Sequence, residues 1–150
     1  MKTYDPKRYV ISFAGVDLNK GLADGTFLRI SPMTARFTSK SGVDGEVTRT
    51  RRHDKRRTGE FTTMQTSDVN ARLSAIFAAD TDAPNGEGVG ALLVKDLVGT
   101  TVFEATAYIA QDPDLELGPE ATTRTWKFEI VDPGQTTHGS NPDTVATPAT

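Results

Sequence analysis

Apolar residues in this chain recur mostly at every second position, and only one stretch changes to a helical period. Tyr9-Val10-Ile11-Ser12-Phe13-Ala14 is a β-prone run ended by Gly15. Gly21–Gly25 reads as a turn. Thr26-Phe27-Leu28-Arg29-Ile30 is a second strand, closed by Ser31-Pro32, and Met33–Thr38 a third with Phe37 as its buried anchor. Two Thr-rich segments follow, Glu46–Arg51 and Glu60–Gln65, on either side of the polar run Arg52–Gly59. They predict a long β-hairpin with a charged tip. Its apolar residues are so sparse that both faces are largely polar, which is unusual for a strand pair lying on a core.

The helical stretch comes next. Ser67 is a good N-cap, and Asp68 sits at the positive end of the helix dipole. Val69, Leu73, Ile76 and Phe77 share one helical face and should pack on the sheet. Ala71, Ala75, Ala78 and Ala79 raise helix propensity. Asp80–Gly90 is a loop. Further strands are expected at Ala91–Asp96, Thr100–Ile109 and Thr123–Val131, the last with Trp126, Phe128 and Ile130 on one face. The break between the last two falls at Asp112-Pro113-Asp114. Nothing has a βαβ rhythm. The fold expected is mainly β: an antiparallel β-sandwich or barrel with one packed α-helix and a long β-hairpin. Residues 1–132 form one domain, and 133–150, rich in Gly, Pro, Thr and Ser, read as a flexible C-terminal tail.

Composition sharpens this picture in three ways. An apolar fraction of 36% in 150 residues is modest for a compact monomer, so some burial is expected from neighbouring subunits. The absence of cysteine excludes disulfide scaffolds, thiolate metal sites and Cys nucleophiles. The first residues lack the apolar core of a signal peptide, and no apolar run approaches the ~18 residues of a membrane span; a soluble protein that stays in the cell that makes it is expected. Charge is also unevenly placed. Residues 1–79 carry fourteen Lys/Arg against eight Asp/Glu, whereas residues 80–150 carry three against twelve. Such a dipolar chain can pair the basic part of one copy with the acidic part of another.

Candidate chemistry is thin. His53 lies in the basic tip and His138 in the tail, and neither has a rigid partner to make it a general base. Gly86-Glu87-Gly88-Val89-Gly90 precedes a strand rather than a helix and lacks the Lys-Ser/Thr of a phosphate loop, so a turn is the reading. Asp112, Asp114 and Glu116 alternate, but lack the glycine and distal Glu of an EF-hand loop. A solvated loop or an intersubunit partner for basic residues remains. No catalytic, cofactor-binding or metal residue is assigned. The strongest local feature is basic: Arg49, Arg51, Arg52, Lys55, Arg56 and Arg57, relieved by Asp54. It reads as a solvated hairpin tip, as a nucleic-acid-binding patch or as a tip that docks on an acidic surface of another subunit. Neither interleaved aromatics nor a recognition helix accompanies it, which weakens the second.

The order of several motifs resembles the tail tube proteins of contractile-tailed bacteriophages. The matching positions are Gly45, Val47, Arg57, Gly59, Thr62, Gln65-Thr66-Ser67, Asn70, Leu73 and Ser74, with the later turn Val94-Lys95-Asp96-Leu97-Val98-Gly99-Thr100. Phe13-Ala14-Gly15-Val16, Ala107-Tyr108-Ile109-Ala110 and Trp126 agree as well, so the likeness spans roughly residues 5–131. The tip here is more densely basic than in relatives. The resemblance implies a non-enzymatic virion protein, assembled in the host cytoplasm, whose hexameric rings stack into a hollow tube. Strands of neighbouring subunits would share an inner barrel, and DNA would pass through the lumen without specific binding. The implied partners are further copies, the sheath, baseplate or tube initiator, terminator and tape measure proteins; membrane and cofactors are not among them. Arg49, Arg51, Arg52, Asp54, Lys55, Arg56 and Arg57 would then mediate contacts between subunits and rings. Two alternatives stay open: a nucleic-acid-binding β-barrel module, and a tube initiator or baseplate component.

Overall fold

The computed structural model describes residues 1–134 and 136–143. After a 3-10 turn at Pro6–Arg8, the elements are β1 (Tyr9–Phe13), β2 (Val16–Asp17), β3 (Leu28–Pro32), β4 (Phe37–Ser41), β5 (Val47–Arg51), β6 (Arg57–Met64), α1 (Val69–Asp82), β7 (Gly90–Asp96), β8 (Val102–Gln111) and β9 (Thr123–Val131). Seven strands form one sheet in the order β2-β1-β7-β8-β9-β6-β3, and β4 and β5 form a separate pair. All of these pairings are antiparallel. The fold is therefore mainly β with one helix, as the alternation predicts, and the sheet does not close into a barrel.

Period-two patterning decides which side of the sheet faces inward. Phe103, Ala105, Ala107 and Ile109 of β8 are buried, as are Trp126, Phe128 and Ile130 of β9 and Leu92 and Val94 of β7. The small Ala107 stands opposite the bulky Ile130, so volumes alternate across the pair. The sheet curls around this core. The Phe13 ring of β1 meets that of Phe128 edge-on at 5.0 Å, although β7 and β8 separate their strands. Its two ends approach without joining, leaving a groove of about 280 Å³ lined by Tyr9 and Ile11 on one side and Leu28 and Ile30 on the other. Along the outer side of β1, Asn19 takes the place of a neighbouring strand: its Oδ1 accepts from the Ile11 N–H at 2.9 Å and its Nδ2 donates to the Tyr9 carbonyl. That side-chain amide blunts one edge.

Helix α1 covers the inner face. Val69 and Leu73 are buried in the core, and Ile76 and Phe77 are half-buried at its rim. The N-cap is Asp68 rather than Ser67, and the Asp68 side chain makes no capping bond; the Ser67 hydroxyl, one residue earlier, accepts from the Val69 N–H at 3.3 Å and donates to the Lys20 carbonyl at 2.6 Å. Gly21 is required beside it: its φ is +64°, and a Cβ there would sit 2.5 Å from the Ser67 Cβ.

The expected hairpin is re-paired. β5 does not pair with β6; it pairs with β4, from Phe37↔Arg51 to Ser41↔Val47. The turn is Gly42–Glu46, closed by Gly42 N–H to the Glu46 carbonyl at 2.7 Å, with Gly45 at φ +88°. Asp44-Gly45 is a strong hairpin signal, and it outcompetes the longer, glycine-free run of Arg52–Thr58 as a chain reversal. β6 instead enters the main sheet between β3 and β9. It buries Gly59, Phe61 and Thr63, so the polar-on-both-faces reading fails for this strand. Phe37 begins its strand instead of lying inside one, and it is 42% exposed, not a buried anchor. Near the C-terminus, Thr137 bridges to Val102, the Ser140 carbonyl accepts from Thr100 N–H at 3.0 Å, and Asn141 donates to the Thr3 carbonyl at 2.8 Å. Residues 144–150 of the expected tail lie outside the described residues.

Because Leu73 is fully buried in the core cluster, Leu73→Ala should cost about 2–5 kcal/mol of folding stability, read from the shift of the urea unfolding midpoint.

Candidate assembly interface

Residues between β3 and β6 leave the body as an arm. Every residue from Pro32 to His53 is exposed, including both strands of the β4–β5 pair. A two-stranded hairpin by itself is marginal in water, so an arm with neither face covered is a surface in want of a partner. Register puts Phe37, Val47, Arg49 and Arg51 on one face and Thr38, Thr48 and Thr50 on the other. Arg49 lies over the Phe37 ring with its guanidinium carbon 4.3 Å from the centroid, and Arg51 follows at 5.7 Å. This cation–π stack orders two long side chains on an otherwise featureless ribbon. Sequence spacing alone did not bring Phe37 to the arginines; the strand register does.

The structure splits the predicted basic cluster into four parts. Arg49 and Arg51 belong to the arm. Arg52 donates its backbone N–H to the Arg36 carbonyl at 2.8 Å at the arm's base, with Lys55 exposed nearby. Arg56 is committed within the chain: its Nε and Nη2 bond the two oxygens of Asp54 at 3.0 Å each, and its Nη1 lies 3.7 Å from Glu129. The hydrogen bond from Arg56 holds the Asp54 carboxyl below its usual range, and Asp54 in turn raises the Arg56 guanidinium. Arg57 opens β6, is half-buried, and lines the groove between the sheet ends. His53 is exposed in the linker, not at a hairpin tip.

A second exposed surface is the loop between β8 and β9. Leu115 and Leu117 are 81% and 75% exposed, between Asp112, Asp114 and Glu116. Two side chains fix this loop from behind. Gln65 Oε1 accepts from the Thr122 N–H at 3.0 Å. The buried Arg124 donates from Nη2 to the Glu116 carbonyl at 2.8 Å and from Nη1 to Thr122 Oγ1 at 2.6 Å and the Thr123 carbonyl at 3.0 Å. Arg124 was missed in the sequence because a lone Arg in an alternating strand gives no sign that it points inward.

Behind both surfaces, the motif residues do structural work. Asn70 Oδ1 accepts from Thr63 Oγ1 at 2.7 Å and from Trp126 Nε1 at 3.0 Å; its Nδ2 donates to the Met64 carbonyl at 2.9 Å. One amide thus joins α1, β6 and β9. The Asp96 carboxylate plays a similar part at the β7–β8 turn, accepting from the Val98 N–H at 3.0 Å; that hydrogen bond, with a second from Gly99, lowers its pKa. The Gly86–Gly90 segment is shaped by Asp80, whose Oδ1 accepts from Glu87 N–H at 3.0 Å, and a Cβ on Gly88 would sit 2.6 Å from Asp80. Among the described residues no cluster of His, Asp or Glu is arranged to hold a metal ion, and no helix is long and apolar enough to cross a membrane.

No protein-family model matches this chain. Over 147 aligned positions, covering 93% of this chain and 83% of that protein, it is 27% identical to "Structural protein ORF10" of Pseudomonas phage KPP10. Its fold is similar to the tube-terminating cap of the anti-feeding prophage, solved by cryo-EM, with a TM-score of 0.55 over 91% of this chain and 93% of that one at 7% identity. The first likeness is of sequence, to a phage structural protein; the second is of fold alone.

Asn70→Ala would strand the buried Trp126 N–H and Thr63 hydroxyl and should cost about 2–4 kcal/mol by urea unfolding, more than its small loss of apolar surface explains. For Asp96, a depressed folded-state pKa means stabilisation that is complete above the unfolded carboxylate value, about 4, and lost as pH falls through the folded value. The unfolding temperature of Asp96→Asn should therefore fall less steeply below pH 4 than that of the wild type.

Proposed function

We propose that this chain is a subunit of a phage tail tube, forming hexameric rings that stack into a hollow conduit for DNA ejection. The observation that carries the reading is the wholly exposed β4–β5 arm, a strand pair that gains its cover only in an assembly. Three further features support it. The main sheet ends in β3 on one side, whose outer edge a neighbouring copy could extend, while Asn19 and the two-residue β2 blunt the other. The outer face of the sheet is polar, with Arg29, Glu60 and Lys127 in register across β3, β6 and β9, as suits a wet lumen. The sequence likeness is to a phage structural protein.

In this reading Arg49, Arg51, Arg52 and Lys55 make contacts between subunits, and Asp54, Arg56 and Arg57 set the base from which the arm projects. The sheath, tube initiator or baseplate, terminator and tape measure proteins are the other partners, and assembly takes place in the host cytoplasm. DNA passes without specific binding; Phe37, the aromatic ring among the arm's arginines, is engaged by Arg49 and Arg51 instead of standing free for base stacking. A component that ends or begins the tube is the second reading, favoured by the fold shared with a tube-terminating cap.

Negative-stain micrographs of the purified protein should show rings about one subunit thick, and tubes at high concentration; a chain that stays monomeric at every concentration and with tail partners present would refute assembly. Antibody labelling of intact particles should decorate the whole tail for a tube subunit and only its end for a terminator.

A further inference from the structure

Two surfaces of the chain are unmatched within it and complementary to each other. The arm presents Val47, Arg49 and Arg51 at alternate positions of one strand, so their side chains leave the same face about 6.6 Å apart. The β8–β9 loop, Asp112-Pro113-Asp114-Leu115-Glu116-Leu117, alternates acidic and apolar residues at the same two-residue period. Among the described residues, the ion pairs of the chain use none of Arg49, Arg51, Asp112, Asp114 or Glu116. Each surface also carries apolar residues left in water: Val47 is 64% exposed on the arm, and Leu115 and Leu117 flank a cavity of about 410 Å³ that reaches Ser74 and Trp126. The loop is also a firm target. Arg124 holds the Glu116 carbonyl and Gln65 holds Thr122, so the C-terminal part of the loop is tied to the body.

We infer that the arm of one copy docks on the 112–117 loop of a second copy, Arg49 and Arg51 pairing with Asp112 and Asp114 while Val47 meets Leu115 at the cavity's mouth. This deepens the assembly reading above and rests on it. The contact is heterologous, because arm and loop are different surfaces of one chain. Repeated from copy to copy it closes a ring or builds a stack, and it joins the basic first half of the chain to the acidic second half. Charge sets the register, and the displaced water around Val47 and Leu115 supplies the apolar part.

Charge exchange tests this. The Arg49→Glu/Arg51→Glu variant and the Asp112→Lys/Asp114→Lys variant should each need at least about tenfold more protein than the wild type to assemble, since like charges now face each other. An equimolar mixture of the two should regain wild-type assembly, because every arm then finds a loop of opposite sign in the alternate copy. Circular dichroism checks that each variant is folded. If the single variants assemble like the wild type, or the folded mixture stays unassembled, the docking is overturned. Wild-type protein in the same series keeps the two ideas apart: its own failure to assemble refutes the assembly reading, whereas its success beside unaffected variants refutes only this contact. As a measurement independent of charge, the cysteine-free chain carrying Val47→Cys with Leu115→Cys should form ladders of disulfide-linked copies on oxidation, and monomer alone would count against the contact.

Discussion

The amide of Asn70 is the constraint on which most of this structure depends. Val69 and Leu73 also join the helix to the sheet by non-directional apolar packing. Asn70 adds direction. By accepting from Trp126 of β9 and Thr63 of β6 while donating to the Met64 carbonyl, it fixes the turn of the helix over the sheet to within the tolerance of a hydrogen bond. Its neighbours extend the effect: Ser67 ties the helix start to the Lys20 loop, and Gln65 ties the end of β6 to Thr122. The β8–β9 loop is then held by the same cluster through Arg124. Buried polar networks of this kind are costly when incomplete, and this one satisfies both the donor and the acceptor atoms of Asn70.

That rigidity contrasts with the arm. The body buries its apolar residues in one curled layer, whereas β4 and β5 bury none. Hydrogen bonds of the strand pair, the Gly42–Gly45 turn and the arginine–Phe37 stack hold the arm's shape. An isolated ribbon of this kind contributes little to the stability of its own chain. Its fixed shape with both faces uncovered suits a contact in which a neighbour supplies the missing cover.

The division between what was legible and what was not follows particular residues. The alternation in β7, β8 and β9 and the spacing of Val69, Leu73, Ile76 and Phe77 announced those elements, because burial on one face writes directly into the order of residues. The partner of β5 was misread. Glu46–Arg51 and Glu60–Gln65 carry the same Thr-rich alternation, and alternation marks a strand without naming its neighbour. The Asp44-Gly45 turn held the missing signal, in a reversal only a few residues long. The bulk of Phe37 suggests core, yet on an exposed strand it instead faces Arg49 and Arg51. The basic cluster was read as one patch because its residues are consecutive, whereas the chain leaves the arm at Arg51 and enters the main sheet at Arg57, separating them.

Sequence alone determined the class of fold, the α1 helix and its inward face, and the opposite charges of the two halves. These depend on local periodicity and composition, which each segment carries in itself. Tertiary structure decided the strand order, the exposure of the arm on both faces, the inward turn of Arg124 and the junction at Asn70. Each of these is a pairing between residues distant in sequence, and its free energy comes from geometry that exists only after the sheet has curled and the helix has settled on it.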